Sequence, residues 1–317
     1  MKGWEFTGTH QPLKIVEKPD PVAKPGYVVL KTLAGGLCHS DVSALDIESW
    51  MGSFNVPVIM GHEVCGRIVE IGEGVEGYEI GDIVAVCPMY AKDGTTPGYT
   101  RDGGYGTMTT APVEQLVKVP AGLPPYKAAA ATDAGATSYH AVCTVGGVKP
   151  GMKVGIIGVG GLGQFGVRTA VVKGCEVHVA TRKPSAQALA LSLGAKEAKP
   201  SITDFADKNL DVIIDFAGGG KTTADALNTV KQYGKVVLVG MATDTATIYT
   251  YSMIFKELTF MGSQGSTTKD LQECLDLLAS GELDPEIHTC KFDEIGEGIE
   301  KLRAGEVSGR LVCVYDD

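Results

Sequence analysis

The sequence predicts an α/β protein that combines a doubly wound parallel sheet with a β-rich domain. Three observations support this. Residues 12–130 contain short β-rich runs separated by Gly and Pro, and the chain after residue 150 alternates apolar strands with helical segments. A glycine-rich loop at residues 158–163 follows the first of those strands and opens a helix.

The first part of the chain has the pattern of short strands joined by tight turns. Residues 27–33, 64–71 and 83–86 are strand-like, and turn sequences such as Lys24-Pro-Gly26 and Gly81-Asp82 separate them. Short strands with frequent turn residues predict a barrel or a sandwich.

The second part has the pattern of repeated βαβ units. Apolar strands are predicted at residues 153–159, 176–181, 210–216, 235–239 and 258–261, with helical segments between them. This alternation predicts a parallel sheet that is buried on both faces. The last 50 residues contain a helix (269–279) and two strand candidates (287–292 and 309–315), and local pattern leaves open whether they return to the first domain.

Composition narrows the classes of function. The 317 residues suffice for two domains, and 44% apolar with 21% charged residues is ordinary for a folded protein. A formal charge of −10 argues against a nucleic-acid or anionic-membrane surface, so the expected partner is a small molecule. Without an apolar run of about 18–20 residues or a signal peptide, a cytoplasmic location is expected. The eight cysteines form no Cys-x-x-Cys pair and are expected to be reduced.

Residues 158–163 read Gly-Val-Gly-Gly-Leu-Gly, which matches the G-x-G-x-x-G pattern. Glycines let the backbone approach a pyrophosphate, and the helix N-terminus offers free N–H groups. The strand before it and the helix after it favour dinucleotide binding over a turn that binds no ligand. The residues assigned to this loop are Gly158, Gly160, Gly161, Leu162 and Gly163.

The second predicted strand of this region distinguishes between cofactors. It ends in Thr181, Arg182 and Lys183, without the Asp or Glu that holds a ribose 2′-hydroxyl in NAD-binding proteins. Arg182 can bind a 2′-phosphate through paired N–H donors, and Lys183 adds positive charge. NADP(H) is therefore favoured over NAD(H). If Arg182 and Lys183 are only solvated loop residues, the absence of an acidic residue still favours NADP(H), and it is the stronger of the two signals.

A candidate metal site begins with His62 and Glu63, which lie side by side in apolar, strand-like sequence at residues 57–68. A lone histidine there would more often be a hydrogen-bonded core residue. However, Cys38 lies upstream in a predicted loop that begins with Gly35 and Gly36, and catalytic zinc accepts thiolate, imidazole and carboxylate while keeping one position open. Cys38, His62 and one carboxylate would complete such a site.

Several motifs occur in order along the chain: Cys38-His-Ser-Asp41, Gly61-His-Glu63, Gly72-x-Gly74-Val75, Gly81-Asp82-x-Val84 and the glycine loop. Together they resemble the zinc-dependent alcohol dehydrogenases of the medium-chain dehydrogenase/reductase family, and among them the NADP-dependent members. The resemblance implies a GroES-like catalytic domain (residues 1–132 and 264–317) with a Rossmann dinucleotide-binding domain (residues 133–263) inserted. It also implies one catalytic Zn²⁺ and a small alcohol, aldehyde or ketone as substrate. A homodimer or homotetramer is expected.

The resemblance also implies roles for the metal-site residues. Cys38 and His62 match zinc ligands, and Glu63 matches a glutamate that lies against the metal. Asp133 stands where relatives carry a third, cysteine ligand; the alternative is that it caps the helix that follows. Whether Glu63 or Asp133 is the third ligand stays open. Asp41 matches the carboxylate that orients the zinc-bound histidine.

Two positions depart from the family pattern. Cys87 is followed by none of the closely spaced cysteines that hold a structural zinc in relatives, so no structural zinc is expected. Ser43 stands where many relatives have a histidine that ends the proton relay, which leaves the exit of the proton open.

The remaining roles also follow from the resemblance. Ser40 would hydrogen-bond the substrate oxygen and pass its proton through the cofactor ribose to Ser43 or water, unless it is only a loop hydroxyl. Further cofactor contacts are expected from His39, Thr137, Gly240, Ser263 and Arg310, the last as a phosphate ligand. Candidate pocket walls are Trp50, Phe54, Met89 and Tyr90.

Two rival functions stay open on sequence grounds. One is a zinc-free quinone or enoyl reductase of the same superfamily, which would have no use for Cys38, His62 and Asp133 together. The other is a non-catalytic NADP-binding protein, which would bind cofactor without turnover.

Overall fold

The structure, a computed structural model, describes residues 1–89 and 91–316 and divides into two compact units. Unit 1 contains residues 1–133 and the described residues from 266 onward, and unit 2 contains residues 134–265. The sequence predicted boundaries after residue 132 and before residue 264. In the structure the first boundary follows residue 133, so Asp133 belongs to unit 1 instead of unit 2. Tyr90, a candidate pocket wall, lies outside the described residues.

The first stretch of unit 1 is mostly β. Its strands and helices are β1 (Lys2–Phe6), β2 (Lys14–Glu17), β3 (Tyr27–Leu37), α1 (His39–Asp46), β4 (Val58–Ile59), β5 (Glu63–Ile71), β6 (Ile83–Val86), β7 (Met108–Pro112), β8 (Leu116–Lys118) and α2 (Pro125–Ala130), with 3₁₀ turns at Glu48–Ser53 and Val113–Gln115. A π-helical segment, Ala131–Gly135, follows α2.

Unit 2 alternates strands and helices. Its elements are α3 (Ala136–Tyr139), a π-helical segment (His140–Val145), β9 (Lys153–Ile157), α4 (Gly161–Val172), β10 (Glu176–Ala180), α5 (Pro184–Ser192), β11 (Glu197–Lys199), a 3₁₀ turn (Ile202–Phe205), β12 (Val212–Asp215), α6 (Lys221–Thr229), β13 (Lys235–Leu238), α7 (Thr250–Lys256) and β14 (Thr259–Gly262).

The chain then returns to unit 1. The closing elements are α8 (Thr268–Ala279), β15 (Ile287–Cys290), a 3₁₀ turn (Phe292–Glu294), α9 (Ile295–Arg303) and β16 (Arg310–Val314). β16 pairs antiparallel with β3, so the C-terminal segment completes the sheet of unit 1. This answers the question that local pattern had left open.

Most neighbouring strands are antiparallel in unit 1, whereas those in unit 2 are parallel. In unit 1 a sheet runs β15-β16-β3-β5-β6-β8, with β7 also paired to β3, and a smaller one runs β2-β1-β4. In unit 2 six parallel strands run β11-β10-β9-β12-β13-β14, the order typical of dinucleotide-binding folds. The predicted fold class is confirmed.

Both faces of the sheet of unit 2 are buried. Successive residues of a strand point to opposite faces, so the two faces pack in different clusters. Val212 and Ile214 of β12 pack in one apolar cluster, which also contains Val167 of α4. Ile213 packs in a second cluster, which contains Leu227 of α6. Continuous apolar strands therefore predicted this sheet well.

One strand extends further than expected. The sequence predicted β3 to end at Leu33 and the following glycines to form a loop, but the strand continues to Leu37. A Cβ on Gly35 would collide with the carbonyl oxygen of Gly104, and a Cβ on Gly36 would collide with the Glu63 carboxylate. The glycines are needed for close approach within the sheet rather than for a turn.

The loop between β6 and β7 is anchored by Arg101. Its Nε donates to the carbonyl oxygen of Thr110 at 3.0 Å, and its Nη1 and Nη2 donate to Thr95 Oγ1 and Gln115 Oε1 at 2.9 and 2.6 Å. The side chain of Arg101 thus ties this loop to β7 and to the turn after it.

Within residues 1–89 and 91–316, no helix has the length and apolar character needed to cross a membrane.

Candidate functional site

The sheet register of unit 1 brings distant residues to one point. β5 and β16 both run antiparallel to β3, with Gly36 opposite Glu63 and Leu37 opposite Leu311. The first residues of β5 and β16 therefore lie beside the last residues of β3. Cys38 directly follows β3, His62 directly precedes β5, and Arg310 begins β16.

Asp133 joins this group from the π-helical segment after α2. π-helical turns are rare and often occur at functional sites. One ligand atom from each of Cys38, His62, Glu63 and Asp133 lies within 4.8 Å of the others, and the first three residues are buried. Their separation in sequence is large, so the grouping depends on the fold of unit 1.

Two distances within this group match the spacing of ligands to one metal ion. Cys38 Sγ lies 3.6 Å from Asp133 Oδ2, and His62 Nε2 lies 3.5 Å from the same oxygen. Zinc ligands at bond lengths of about 2.0–2.3 Å in tetrahedral geometry lie roughly 3.3–3.8 Å from each other. The side chains of Cys38, His62 and Asp133 can therefore meet one ion with little movement.

Asp41 lies behind this group, in the first turn of α1. Its Oδ2 accepts a hydrogen bond from the Cys38 backbone N–H at 2.9 Å, and its Oδ1 lies 3.4 Å from His62 Nδ1. A proton on Nδ1 facing this carboxylate leaves Nε2 free to coordinate a metal. Nε2 is the nitrogen that faces Asp133.

Glu63 and Arg310 form a buried ion pair next to the same group. Arg310 Nε donates to Glu63 Oε2 at 3.2 Å, Nη2 contacts Oε1, and Nη2 also lies 3.6 Å from Asp133 Oδ2. The side chain of Arg310 is only 3% exposed. Its predicted role as a phosphate ligand stays a prediction, and the contacts in unit 1 are with carboxylates.

The electrostatics favour an ionised thiol. Burial alone would raise the pKa of Cys38, but the positive charge of Arg310 and the contact with His62 outweigh it, so that pKa is lowered. Burial would lower the pKa of His62, yet the neighbouring Tyr99 and the carboxylates raise it well above its ordinary value. Positive charge is therefore stabilised in this pocket, and the ionised form of Cys38 is stabilised relative to that of an ordinary cysteine.

In unit 2 three glycines of the loop have distinct roles. Gly158, directly after β9, has φ +88°, and Gly160 precedes the first residue of α4. A Cβ on Gly163 would collide with the Gly158 carbonyl oxygen, whereas a Cβ on Gly160 meets no atom within 4 Å. Gly163 is needed for packing of the helix on the strand, and Gly160 leaves open space over the backbone.

The other predicted cofactor residues of unit 2 mostly follow the carboxyl ends of parallel strands. Thr181 comes directly after β10 and is half-buried, while Arg182 and Lys183 are exposed before α5. Gly240 follows β13, and Ser263 follows β14 with a buried hydroxyl that has no hydrogen-bond partner among the described residues. The carboxyl ends of β10, β13 and β14 lie at the same side of the sheet as the glycine loop. Thr137 is buried in α3.

Comparisons with known proteins agree with this architecture. The family model described as "Alcohol dehydrogenase GroES-like domain" matches residues 24–121, and the one described as "Zinc-binding dehydrogenase" matches residues 161–280. An alcohol dehydrogenase of Geobacillus stearothermophilus is 31% identical over 326 residues, which cover 95% of each chain. The chain belongs to the medium-chain dehydrogenase/reductase family.

Solved structures of similar proteins support the same assignment. An acetophenone reductase of Geotrichum candidum in complex with NAD has a TM-score of 0.89 at 34% identity, covering 99% of this chain and 96% of the other. An alcohol dehydrogenase of the archaeon Aeropyrum pernix has a TM-score of 0.91 at 27% identity, covering 99% and 100%. Both relatives match nearly the whole length of this medium-chain dehydrogenase/reductase.

The predicted proton-handling residues of this family member lie on α1. Ser40 is half-buried and lies near Tyr99, whose ring meets the His62 ring edge-on at a centroid distance of 5.6 Å. Ser43 Oγ donates to the carbonyl oxygen of His39, one turn earlier, at 3.1 Å. His39 is exposed. The structure groups Ser40 with the metal candidates but engages Ser43 within its own helix.

Two tyrosines of the site were missed by sequence reasoning. Tyr99 stacks on Phe54, a predicted pocket wall, at a centroid distance of 4.4 Å. Tyr105 is fully buried and donates to Asp41 Oδ2 at 2.6 Å. The nearest sequence signal is Gly103-Gly104, since a Cβ on Gly103 would collide with the carbonyl oxygen of Gly61. Trp50 and Met89 are half-buried, and their role as pocket walls stays a prediction.

Proposed function

We propose that this chain is a zinc-dependent alcohol dehydrogenase or carbonyl reductase that transfers a hydride between NADP(H) and a small alcohol, aldehyde or ketone. The observation that carries the proposal is the group formed by Cys38 Sγ, His62 Nε2 and Asp133 Oδ2, with Asp41 behind His62. It occurs in a chain of a family whose named relatives include alcohol dehydrogenases.

The charges around this group support a metal ion. The Cys38 thiol lies among the carboxylates of Asp41, Glu63 and Asp133, and Arg310 supplies one positive charge to the cluster. Buried anionic groups without compensation cost several kcal/mol each, roughly, so a divalent cation would stabilise the set. Thiolate, imidazole and carboxylate are ligands that zinc accepts together.

The residues then have separate tasks in the reaction. Zinc bound there would act as a Lewis acid that stabilises negative charge on the substrate oxygen. Cys38, His62 and Asp133 would hold the ion, and Asp41 would keep Nδ1 of His62 protonated so that Nε2 points inward. Ser40 would accept a hydrogen bond from the substrate hydroxyl and, as it takes up that proton, release its own to the cofactor ribose and on to Ser43 or water, with the reverse path in the reverse direction. The nicotinamide ring would accept or donate the hydride.

The preference for NADP(H) rests on residues of this chain. The structure of the Geotrichum candidum relative is a complex with NAD, so the comparison supports a nicotinamide cofactor without deciding the 2′ substituent. After β10 the chain offers Thr181, Arg182 and Lys183 and no carboxylate. Two exposed cations at this point favour a 2′-phosphate, because an arginine can bind it with charge-assisted hydrogen bonds.

We also propose that the protein assembles as a homo-oligomer through unit 2. β14 is an edge strand whose four residues are exposed, with Phe260 at 37% and Met261 at 42%. The preceding α7 exposes Tyr251, Ile254 and Phe255. A free strand edge beside large exposed apolar side chains is a common subunit interface, and a twofold axis would pair two such edges antiparallel.

Replacing His62 tests the metal. His62→Ala should remove one of three zinc ligands, so zinc content should fall from about one ion per chain toward zero. Turnover of alcohols and ketones should fall at least about 1,000-fold, which corresponds to roughly 4 kcal/mol of lost stabilisation, while NADPH binding persists. His288→Ala, on the exposed β15, is the matched control. Zinc-free His62→Ala protein with undiminished turnover would favour a zinc-free reductase.

Replacing the two loop glycines tests dinucleotide binding. Gly160→Ala should leave the free energy of unfolding within about 0.5 kcal/mol of wild type but weaken NADPH binding, because its Cβ would occupy the open space. Gly163→Ala should destabilise the fold by about 1–3 kcal/mol. Urea unfolding and fluorescence titration measure the two effects. Unchanged NADPH affinity in Gly160→Ala would argue against a phosphate at this loop.

Replacing Arg182 tests the cofactor preference. Arg182→Ala should weaken NADPH binding about 10–100-fold, since it removes charge-assisted hydrogen bonds of roughly 1.5–3 kcal/mol, and should change NADH binding less than about threefold. Dissociation constants for both cofactors provide the measurement. Lys196→Ala is the control, because Lys196 directly precedes β11 and so lies at the amino ends of the parallel strands, away from the glycine loop. Equal losses for NADPH and NADH would refute the 2′-phosphate role.

Replacing Phe260 tests the assembly. Phe260→Lys places a charge on the β14 edge and should shift the protein from dimer or tetramer toward monomer, as measured by light scattering during size-exclusion chromatography. Ile80→Lys changes an exposed isoleucine of unit 1 and should leave the mass unchanged. A wild-type protein that is monomeric at all concentrations would contradict the proposed interface.

A further inference from the structure

Tyr105 lies within contact distance of two elements of the candidate metal site. It is fully buried, between Gly104 and the start of β7, and its hydroxyl donates to Asp41 Oδ2 at 2.6 Å. None of the roles assigned above to zinc, substrate or cofactor uses this side chain. Its position nevertheless couples it to His62 in two ways.

The first link is the backbone. Tyr105 N–H donates to the Met60 carbonyl oxygen at 2.9 Å, and Gly104 N–H donates to that of Gly61 at 2.7 Å. On the other side, the Tyr105 carbonyl oxygen accepts a hydrogen bond from Trp4 N–H at 3.1 Å. Tyr105 is thereby fixed against the two residues that directly precede His62.

The second link is the ring. Gly61 has φ +92°, and a Cβ there would lie only 2.5 Å from Cδ1 of the Tyr105 ring. The ring therefore covers the bare backbone of Gly61, the residue next to His62. A side chain at residue 61 would displace either the ring or the chain that carries the histidine.

The hydroxyl acts on Asp41. Oδ2 of Asp41 accepts from both the Tyr105 hydroxyl and the Cys38 backbone N–H, while Oδ1 faces His62 Nδ1. Two donors on one oxygen fix the rotation of the carboxylate, so the other oxygen stays directed at the imidazole. Without the hydroxyl, one backbone hydrogen bond would have to hold the carboxylate in place.

We propose that Tyr105 is a positioning residue that sets metal affinity by holding Asp41 against His62 while its ring fixes the backbone before His62. The inference rests on the proposed function, since it concerns the same metal site. The residues that hold the metal ligands in place would then include Tyr105 as well as Asp41, although the Tyr105 side chain contacts no metal ligand directly.

The matched control is Tyr315. Its hydroxyl donates to the Gly104 carbonyl oxygen at 2.6 Å, so it makes a hydrogen bond of the same length to the same segment. Phenylalanine at either position keeps the ring and removes one hydroxyl. A purely structural effect of losing a tyrosine hydrogen bond should therefore be similar in the two variants, whereas only Tyr105 touches Asp41.

The experiment measures zinc affinity by competition with a chelator of known affinity, on wild type, Tyr105→Phe and Tyr315→Phe. Tyr105→Phe should bind zinc about 10–100-fold more weakly, the usual effect of removing a group that orients a ligand. Tyr315→Phe should stay within about threefold of wild type. The visible absorption of Co²⁺-substituted protein should shift only in Tyr105→Phe, which provides a readout independent of turnover.

A double-mutant cycle provides the second measurement. If Tyr105 acts through Asp41, adding Tyr105→Phe to Asp41→Ala should not weaken zinc binding further. Wild-type affinity in Tyr105→Phe, equal losses in Tyr105→Phe and Tyr315→Phe, or additive losses in the cycle would each overturn the inference while the zinc enzyme stands. A wild-type protein without zinc affinity would instead overturn the proposed function and this inference together.

Discussion

The central constraint on unit 1 is that its fold concentrates anionic side chains at one buried point. The ends of β3, β5 and β16 bring the Cys38 thiol and the Glu63 carboxylate together, and the π-helical segment adds Asp133. Burying such groups is unfavourable unless positive charge accompanies them. Arg310 supplies part of that charge through Glu63, and a divalent cation between Cys38, His62 and Asp133 would supply the rest. Gly36 is required because any side chain there would occupy the position of the Glu63 carboxylate.

In unit 2 the proposed dinucleotide binding requires backbone N–H groups that can face an anion. The turn after β9 uses glycine where the backbone needs a positive φ, where the helix must pack closely, and where open space lies over the chain. The start of α4 then carries the N–H groups and the positive end of the helix dipole. Thr181, Arg182 and Lys183 follow the neighbouring strand, so a bound dinucleotide would meet cations rather than a carboxylate at its second ribose.

Much of this could be predicted from the sequence, because the informative signals are local. The continuous apolar strands of unit 2 and the glycine loop are readable within 20 residues, and Cys38 and His62 stand in short motifs. Other features depend on contacts that no local pattern contains. Gly35 and Gly36 resembled a loop, yet they belong to β3 because Gly104 and Glu63 approach them closely. The phosphate role of Arg310 stays a prediction, and no local pattern indicated that the register of β16 would also place it on Glu63, 247 residues away in sequence. The local sequence around Tyr105 does not indicate that its hydroxyl donates to Asp41, 64 residues earlier in the chain.

The most direct test of the central claim is X-ray diffraction from crystals grown with zinc, with data collected on both sides of the zinc absorption edge. The account predicts one anomalous peak per chain in unit 1, at about 2.0–2.3 Å from Cys38 Sγ, His62 Nε2 and an Asp133 carboxylate oxygen. A folded chain with these three side chains in place and no anomalous density between them would contradict it.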